Sequence, residues 1–201
     1  MNIYKKLLKP LVFAALLFST GMTHANISLE FNPASQSGNS VDVDVVISGL
    51  GSGVPPSLST YDLDIQFDNS HLSFSNVVFG DPVQGNQLDL FDFGLNDTST
   101  ALTLAGDLNI FELSLDLSDD LNSSQSGGFT LATVTFDVLK ADTSQLTFSA
   151  FLLGDVDGNS LSADVTAATI TTVPVPAAFW LMASGLGLFY KSRDAGVGCA
   201  A

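Results

Sequence analysis

Residues 26–172 predict an all-β fold of two antiparallel sheets packed face to face. Three observations carry that expectation. Apolar and polar side chains alternate with a period of two in run after run, which turns one face of each strand inward. Clusters of Gly, Pro, Asn, Asp and Ser separate those runs, and no stretch sustains the 3.6-residue period of a helix. A strand with one apolar face needs a second sheet to cover it, so one-sided strands in this number imply a sandwich.

The elements follow in chain order. A first strand is expected over 27–32. In the next run Val41, Val43 and Val45 face one way while Asp42 and Asp44 face the other. The Gly- and Pro-containing stretch 49–60 reads as an exposed rigid loop, an inert connection in preference to part of a binding rim. Tyr61, Leu63, Ile65 and Phe67 then form an inward set, with Asp62, Asp64, Gln66 and Asp68 outward. His71 falls in a polar connection and reads as a solvated loop residue. Strands are expected over 72–79, 88–93 and 102–108. In the run from Phe111, the inward set is Phe111, Leu113, Leu115 and Leu117, and Glu112, Ser114, Asp116 and Ser118 point outward. Ala132, Val134, Phe136 and Val138 alternate with Thr133, Thr135 and Asp137; Leu146 and Phe148 share a face; a last strand covers 165–172. The total is nine or ten short strands.

Of 201 residues, 46% are hydrophobic and 13% charged, enough apolar side chain to bury a core. All but one of the 21 acids and only one of the six bases, Lys140, lie in 26–172, which gives that segment a net charge of -19. A surface so negative repels phosphate backbones, which excludes nucleic acid as a partner. The one cysteine, Cys199, lies near the C-terminus, so the fold must stand on packing without a disulfide.

Both ends read as addresses. Lys5, Lys6 and Lys9 precede the apolar run 11–18 and the small-residue pattern Thr23-His24-Ala25, the order of a secretory signal peptide. Cleavage is expected between Ala25 and Asn26, which makes 1–25 the signal and exports the rest. At the far end an apolar run over 177–190 is followed by Lys191 and Arg193. Its fourteen residues reach only about 21 Å as a helix, against a hydrocarbon core of about 30 Å. Short apolar tails with a basic stop are typical of transient sorting signals. Lys191 and Arg193 orient such a tail with its C-terminus inside.

Val173, Pro174, Val175, Pro176 and Ala177, with Trp180-Leu181 and the basic pair behind them, resemble a PEP-CTERM sorting signal of the Val-Pro-x-Pro-Ala type. The resemblance covers 173–193 and leaves 194–201 as a short tail. It implies processing by an exosortase, a membrane-embedded cysteine transpeptidase of Gram-negative bacteria that make extracellular polysaccharide. The implied location is the cell envelope, outer surface or extracellular matrix, after a transient stay in the inner membrane. An ordinary C-terminal membrane anchor is the alternative, and it leaves the acidic domain on the same side.

The strand wording adds a second resemblance. Leu63-Asp64-Ile65-Gln66-Phe67-Asp68, then Leu72, Phe74, Val77 and Gly80-Asp81, and later Leu131-Ala132 with Val134, Phe136 and Val138, resemble the cohesin-like domains of the carbohydrate-binding-module clan. The implied fold is a nine-stranded jelly-roll sandwich that works by surface recognition and carries no catalytic residues.

The chemistry of single residues points the same way. His71 is the one histidine left after signal removal, so a Ser-His-Asp triad lacks support, and glycosidase chemistry needs two carboxylates across a cleft. Asp155, Asp157 and Asn159 alternate oxygen donors around Gly158, as an EF-hand loop begins, but its twelfth position is Thr166 in place of a glutamate. Asp-Gly and Gly-Asn are also hairpin-turn chemistry, and the turn is the preferred reading. No cofactor is expected, with Ca²⁺ the one candidate. The expected function is an exported, non-enzymatic envelope or matrix adhesion module that recognises a polysaccharide or a surface protein, associated with exopolysaccharide or biofilm. A carbohydrate-binding module is the first rival, although among 26–172 the only tyrosine is Tyr61 and the only tryptophan, Trp180, lies in the tail. A secreted hydrolase is the second.

Overall fold

The computed structural model describes residues 26–172. The expected signal peptide, with Ala25, lies outside the described residues, as do the sorting motif Val173 to Ala177, the basic stop Lys191 and Arg193, and the short tail 194–201. Among the described residues no helix is long and apolar enough to cross a membrane.

Ten strands form two five-stranded sheets. The first sheet holds β1 (Ile27–Ser37), β2 (Ser40–Ser48), β4 (Leu72–Phe79), β7 (Gly128–Val138) and β9 (Ala163–Thr166), in the order β4-β7-β2-β1-β9. The second holds β3 (Leu58–Gln66), β5 (Asn96–Leu104), β6 (Asp107–Ser114), β8 (Thr143–Asp155) and β10 (Ala168–Thr171), in the order β10-β8-β3-β6-β5. Every pair is antiparallel except β1 with β9. This is the sandwich that the alternation predicts.

The period of two decides what lies between the sheets. Val41, Val43, Val45 and Ile47 on β2 and Tyr61, Leu63 and Ile65 on β3 are buried, and Ala132, Val134, Phe136 and Val138 on β7 join them. Phe31 on β1 stacks on Phe148 of β8 across the interior, with centroids 4.1 Å apart and ring planes 9° apart. A fully buried Leu, Val or Phe stabilises by roughly 1.5–3 kcal/mol relative to exposure, so a core of this size holds the fold without a disulfide.

Four expectations need correction. Residues 88–93 form no strand; they belong to a strap between β4 and β5 held by side chains. Residues 102–108 are not one strand, because Ala105 and Gly106 turn the chain from β5 into β6, with Gly106 at φ +83°. The strand expected to run on through Ser118 ends at Ser114, and Ser118–Ser124 form the short helix α1, which buries Leu121. Residues 165–172 divide between β9 and β10, so the chain passes from one sheet to the other at Ala167.

A fifth expectation to fail is the facing of β6. The inward set is Leu108, Ile110, Glu112 and Ser114, all buried, while Phe111 and Leu113 lie on the outer face and Leu115 and Leu117 are 58% and 71% exposed. The alternation is real and its parity is reversed. Leu108 and Ile110 decide it, because they sit opposite Ile65 and Leu63 of β3 in the core. Glu112 is carried inward with them.

Candidate functional site

The outer faces of the two sheets differ in chemistry. On the first sheet several outward polar side chains pair with one another: Thr133 Oγ1 donates to Asp44 Oδ1 at 2.7 Å, Thr135 Oγ1 to Asp42 Oδ1 at 2.7 Å, and the Ser28 and Ser48 hydroxyls lie 2.8 Å apart, with Val78 exposed beside Thr133. On the second sheet, cross-strand pairing builds mixed rows. One row runs Leu152, Asp62, Phe111, Ser99 over β8, β3, β6 and β5; beside it runs Ala150, Asp64, Asn109, Ala101. Leu113 lies between Thr60 and Asp97 in a third. This face presents apolar side chains between carboxylates.

The acidic side chains here are ordered. Asn109 Nδ2 donates to Asp62 Oδ1 at 2.6 Å and to Asp64 Oδ1 at 2.9 Å, which fixes two carboxylates in the middle of the face. The apolar stripe continues past the end of β6 through Leu115 and Leu117. Leu95 joins it, since the Leu115 N–H donates to the Leu95 carbonyl at 2.7 Å. At its flank lies an open cleft of about 510 Å³, lined in part by Thr60, Leu113, Asp116, Leu152, Gly154 and Asn159.

The strap between β4 and β5 borders the same surface and exposes Phe91 and Phe93, whose rings stack at 5.8 Å. Side chains hold it in place. Asp89 accepts from the N–H groups of Phe93 (3.0 Å) and Gly94 (2.8 Å), and the Leu90 N–H donates to Asp116 Oδ2 at 2.8 Å. Leu88 is fully buried beneath it.

Behind this face sits Glu112, which the alternation had placed outward among the solvated acids. Its Oε1 accepts from the amides of Asn86 and Asn96, and its Oε2 lies 2.8 Å from the Tyr61 hydroxyl. Burial pushes the Glu112 carboxyl up from the ordinary glutamate range, the three hydrogen bonds oppose that, and the Asp89 charge adds to it. Burial likewise pushes the Tyr61 phenol well up, assisted by Glu112. Glu112 reaches no solvent, so it offers no general acid or base to a substrate. Sequence reasoning missed it; the one signal was the apolar pair Leu108 and Ile110 on its own parity.

The remaining residues singled out by sequence fall as follows. Asp155 Oδ1 accepts from the N–H groups of Asp157 (3.0 Å) and Asn159 (2.7 Å), and its Oδ2 from the Asn159 amide at 3.0 Å. Desolvation raises the Asp155 pKa, and the Asn159, Asp157 and Gly158 hydrogen bonds outweigh it, leaving the value lowered. The carboxylate is thus spent on its own turn, and Asp157 and Asn159 are exposed. Among the described residues no three His, Cys, Asp or Glu side chains are arranged to hold a metal ion. His71 is not a solvated loop residue: at 16% exposure its Nδ1 lies 3.1 Å from Asp68 and its Nε2 3.6 Å from Asp142, joining two connections at one end of the sandwich. Tyr61, the tyrosine available to a sugar platform, is wholly inside.

No sequence-family model matches the chain, and no curated protein matches it. Solved structures do. The sixth cohesin of scaffoldin B from Acetivibrio cellulolyticus, solved with a Cel5 dockerin mutant, is similar at 19% identity and a TM-score of 0.57 over 74% of this chain and 99% of that one. A non-cellulosomal cohesin from Archaeoglobus fulgidus is 18% identical, with a TM-score of 0.54 over 77% and 96%. The OlpA cohesin of Clostridium thermocellum, solved with the dockerin Doc918, is 12% identical, with a TM-score of 0.57 over 74% and 99%. At these identities the likeness is one of fold, and the fold of 26–172 is cohesin-like.

Proposed function

We propose that this chain is an exported, non-catalytic binding module whose outer β8-β3-β6-β5 face docks a protein partner. The observation that carries this is the contrast between the two sheets. On one outer face Thr133 and Thr135 bond Asp44 and Asp42, while the other sets Phe111, Leu113 and Leu152 among the carboxylates of Asp62, Asp64 and Asp97. Apolar anchors within a charged rim are the anatomy of a protein interface. The partner's own surface then pairs apolar side chains with Lys or Arg, because a -19 domain selects cationic neighbours. Cohesins solved with dockerins set a precedent for protein ligands on this fold. Polysaccharide as the ligand would have to draw on phenylalanines such as Phe91, Phe93 and Phe151, since no tyrosine or tryptophan is exposed among the described residues.

Delivery belongs to the two ends. The chain is cut between Ala25 and Asn26, held briefly by its tail, and processed by an exosortase at the motif from Val173 to Ala177, which places the module on the envelope or in the exopolysaccharide of a biofilm. The mass of the mature protein checks this, and Pro174→Leu with Pro176→Leu should block tail processing.

The docking face is tested by placing a photo-crosslinking side chain at Leu152 or at Asp44 in producing cells. A discrete protein adduct from position 152 and none from 44 supports the proposal. Adducts from both positions, or from neither, overturn it.

A further inference from the structure

Each sheet has two edge strands, and three of the four carry features that keep an edge from pairing further: short length, a charge or a bulge. β9 and β10 are four residues long, and β9 holds Asp164. β4 is interrupted by a register shift between Phe74 and Asn76. β5 is the exception. It is nine residues long, contains no proline, and pairs in unbroken register with β6 from Asn96 to Leu102. From Thr98 to Leu104 it has no charged side chain, although the domain around it is strongly acidic.

The strand is also uncovered on both faces. Leu108, Ile110 and Glu112 of β6 point into the core, and cross-strand partners share a face, so Leu102, Thr100 and Thr98 have the same inward parity. All three are nonetheless exposed, Leu102 at 54%, and so are Ser99, Ala101 and Thr103 on the opposite face. Among the described residues β5 pairs with β6 alone. Alternate residues along its other side therefore direct backbone N–H and C=O groups at solvent, as a template for one more strand.

We propose that β5 is a self-association strand: it pairs antiparallel with β5 of a second copy of this chain, about a two-fold axis at Thr100, and joins two five-stranded sheets into one. Two copies of so acidic a domain repel each other over most of their surface, and an uncharged edge is where their backbones can meet. Antiparallel pairing about Thr100 sets Leu102 against Thr98, Ser99 against Ala101, and Asp97 against Thr103. The two Asp97 carboxylates then stand about 20 Å apart, roughly twice the Debye length at 0.1 M salt. Parallel pairing in register would put them side by side. The two-fold is normal to the sheet, so both outer β8-β3-β6-β5 faces look the same way and a partner with two sites gains avidity. That consequence rests on the docking face proposed above; the pairing itself does not.

Sedimentation equilibrium and amide exchange of the mature exported protein test the pairing. The wild type should form a concentration-dependent dimer that tightens about threefold or more as NaCl rises from about 50 to about 500 mM, because salt screens the repulsion. Raising the protein concentration should slow exchange at alternate amides of β5. Thr100→Asp sets two like charges against each other at the axis and should weaken the dimer about tenfold or more, with the exchange of β2 and β7 amides unchanged as the check on folding. Asn76→Asp, the same change of charge at an exposed position of β4, should leave the dimer as in wild type. A wild type that stays monomeric at about 0.5 mM protein in high salt overturns the proposal, and so does a dimer whose formation leaves β5 exchange unchanged. Equal weakening by Asn76→Asp and Thr100→Asp overturns it as well. The wild-type exchange decides without any variant. No partner protein enters these measurements, so their failure leaves the docking face untouched, and failure of crosslinking leaves the pairing untouched.

Discussion

Tyr61 shows what a single hydroxyl does in this core. It is fully buried and bridges β3 to Glu112 of β6 and to the Leu131 carbonyl of β7 in the opposite sheet. Tyr61→Phe keeps the ring and strands a buried carboxyl oxygen, so urea unfolding should report a loss of about 1–3 kcal/mol. Glu112→Gln should act in the opposite sense at neutral and higher pH. A raised native pKa means that the group's stabilisation is complete below the ordinary glutamate range and is lost as pH rises through the raised value. The melting temperatures of wild type and Glu112→Gln should therefore diverge with increasing pH, the variant lying higher. At the exposed turn, Asp155→Ala removes three hydrogen bonds and should cost about 1 kcal/mol, while Asp157→Ala should be silent, since only its backbone N–H takes part. Ca²⁺ and Mg²⁺ near 1 mM should raise the melting temperature alike; a saturating, Asp157-dependent Ca²⁺ increment would make the turn a metal site.

At the scale of elements, β6 separates what the sequence makes legible from what it hides. Strands β2, β3 and β7 carry one apolar and one polar set each, so their facing can be read directly from Val41, Tyr61 or Val134. In β6 both parities are apolar for part of the run, with Leu108 and Ile110 on one and Phe111 and Leu113 on the other. Only the pairing with β3 chooses, and that is a long-range fact. The strap and α1 were illegible for a related reason: their buried leucines, Leu88 and Leu121, stand singly and leave no period to detect. The same parity makes the docking face hard to see, because its anchors look like core. Leu108→Ala and Ile110→Ala should each cost about 2–5 kcal/mol, as core truncations do, whereas Leu115→Ser and Leu117→Ser should stay within about 0.5 kcal/mol. The opposite ranking would restore the facing that alternation alone suggests.

For the whole molecule, a sandwich with a net charge of -19 over 26–172 carries its own repulsion. Raising NaCl from about 20 to about 500 mM should therefore raise the melting temperature, while weakening attachment of a cationic partner to the acidic outer face. The central claim is that this outer face, and not its counterpart on the first sheet, binds a protein. It is tested most directly by measuring the affinity of the crosslinked partner for Phe111→Ser/Leu152→Ser and for Asp44→Ser, each checked for an unchanged fold. The first variant should lose roughly 10- to 100-fold in affinity, about 1.4–2.8 kcal/mol, with Asp44→Ser equal to wild type. Wild-type affinity in Phe111→Ser/Leu152→Ser, or a comparable loss in Asp44→Ser, would contradict it.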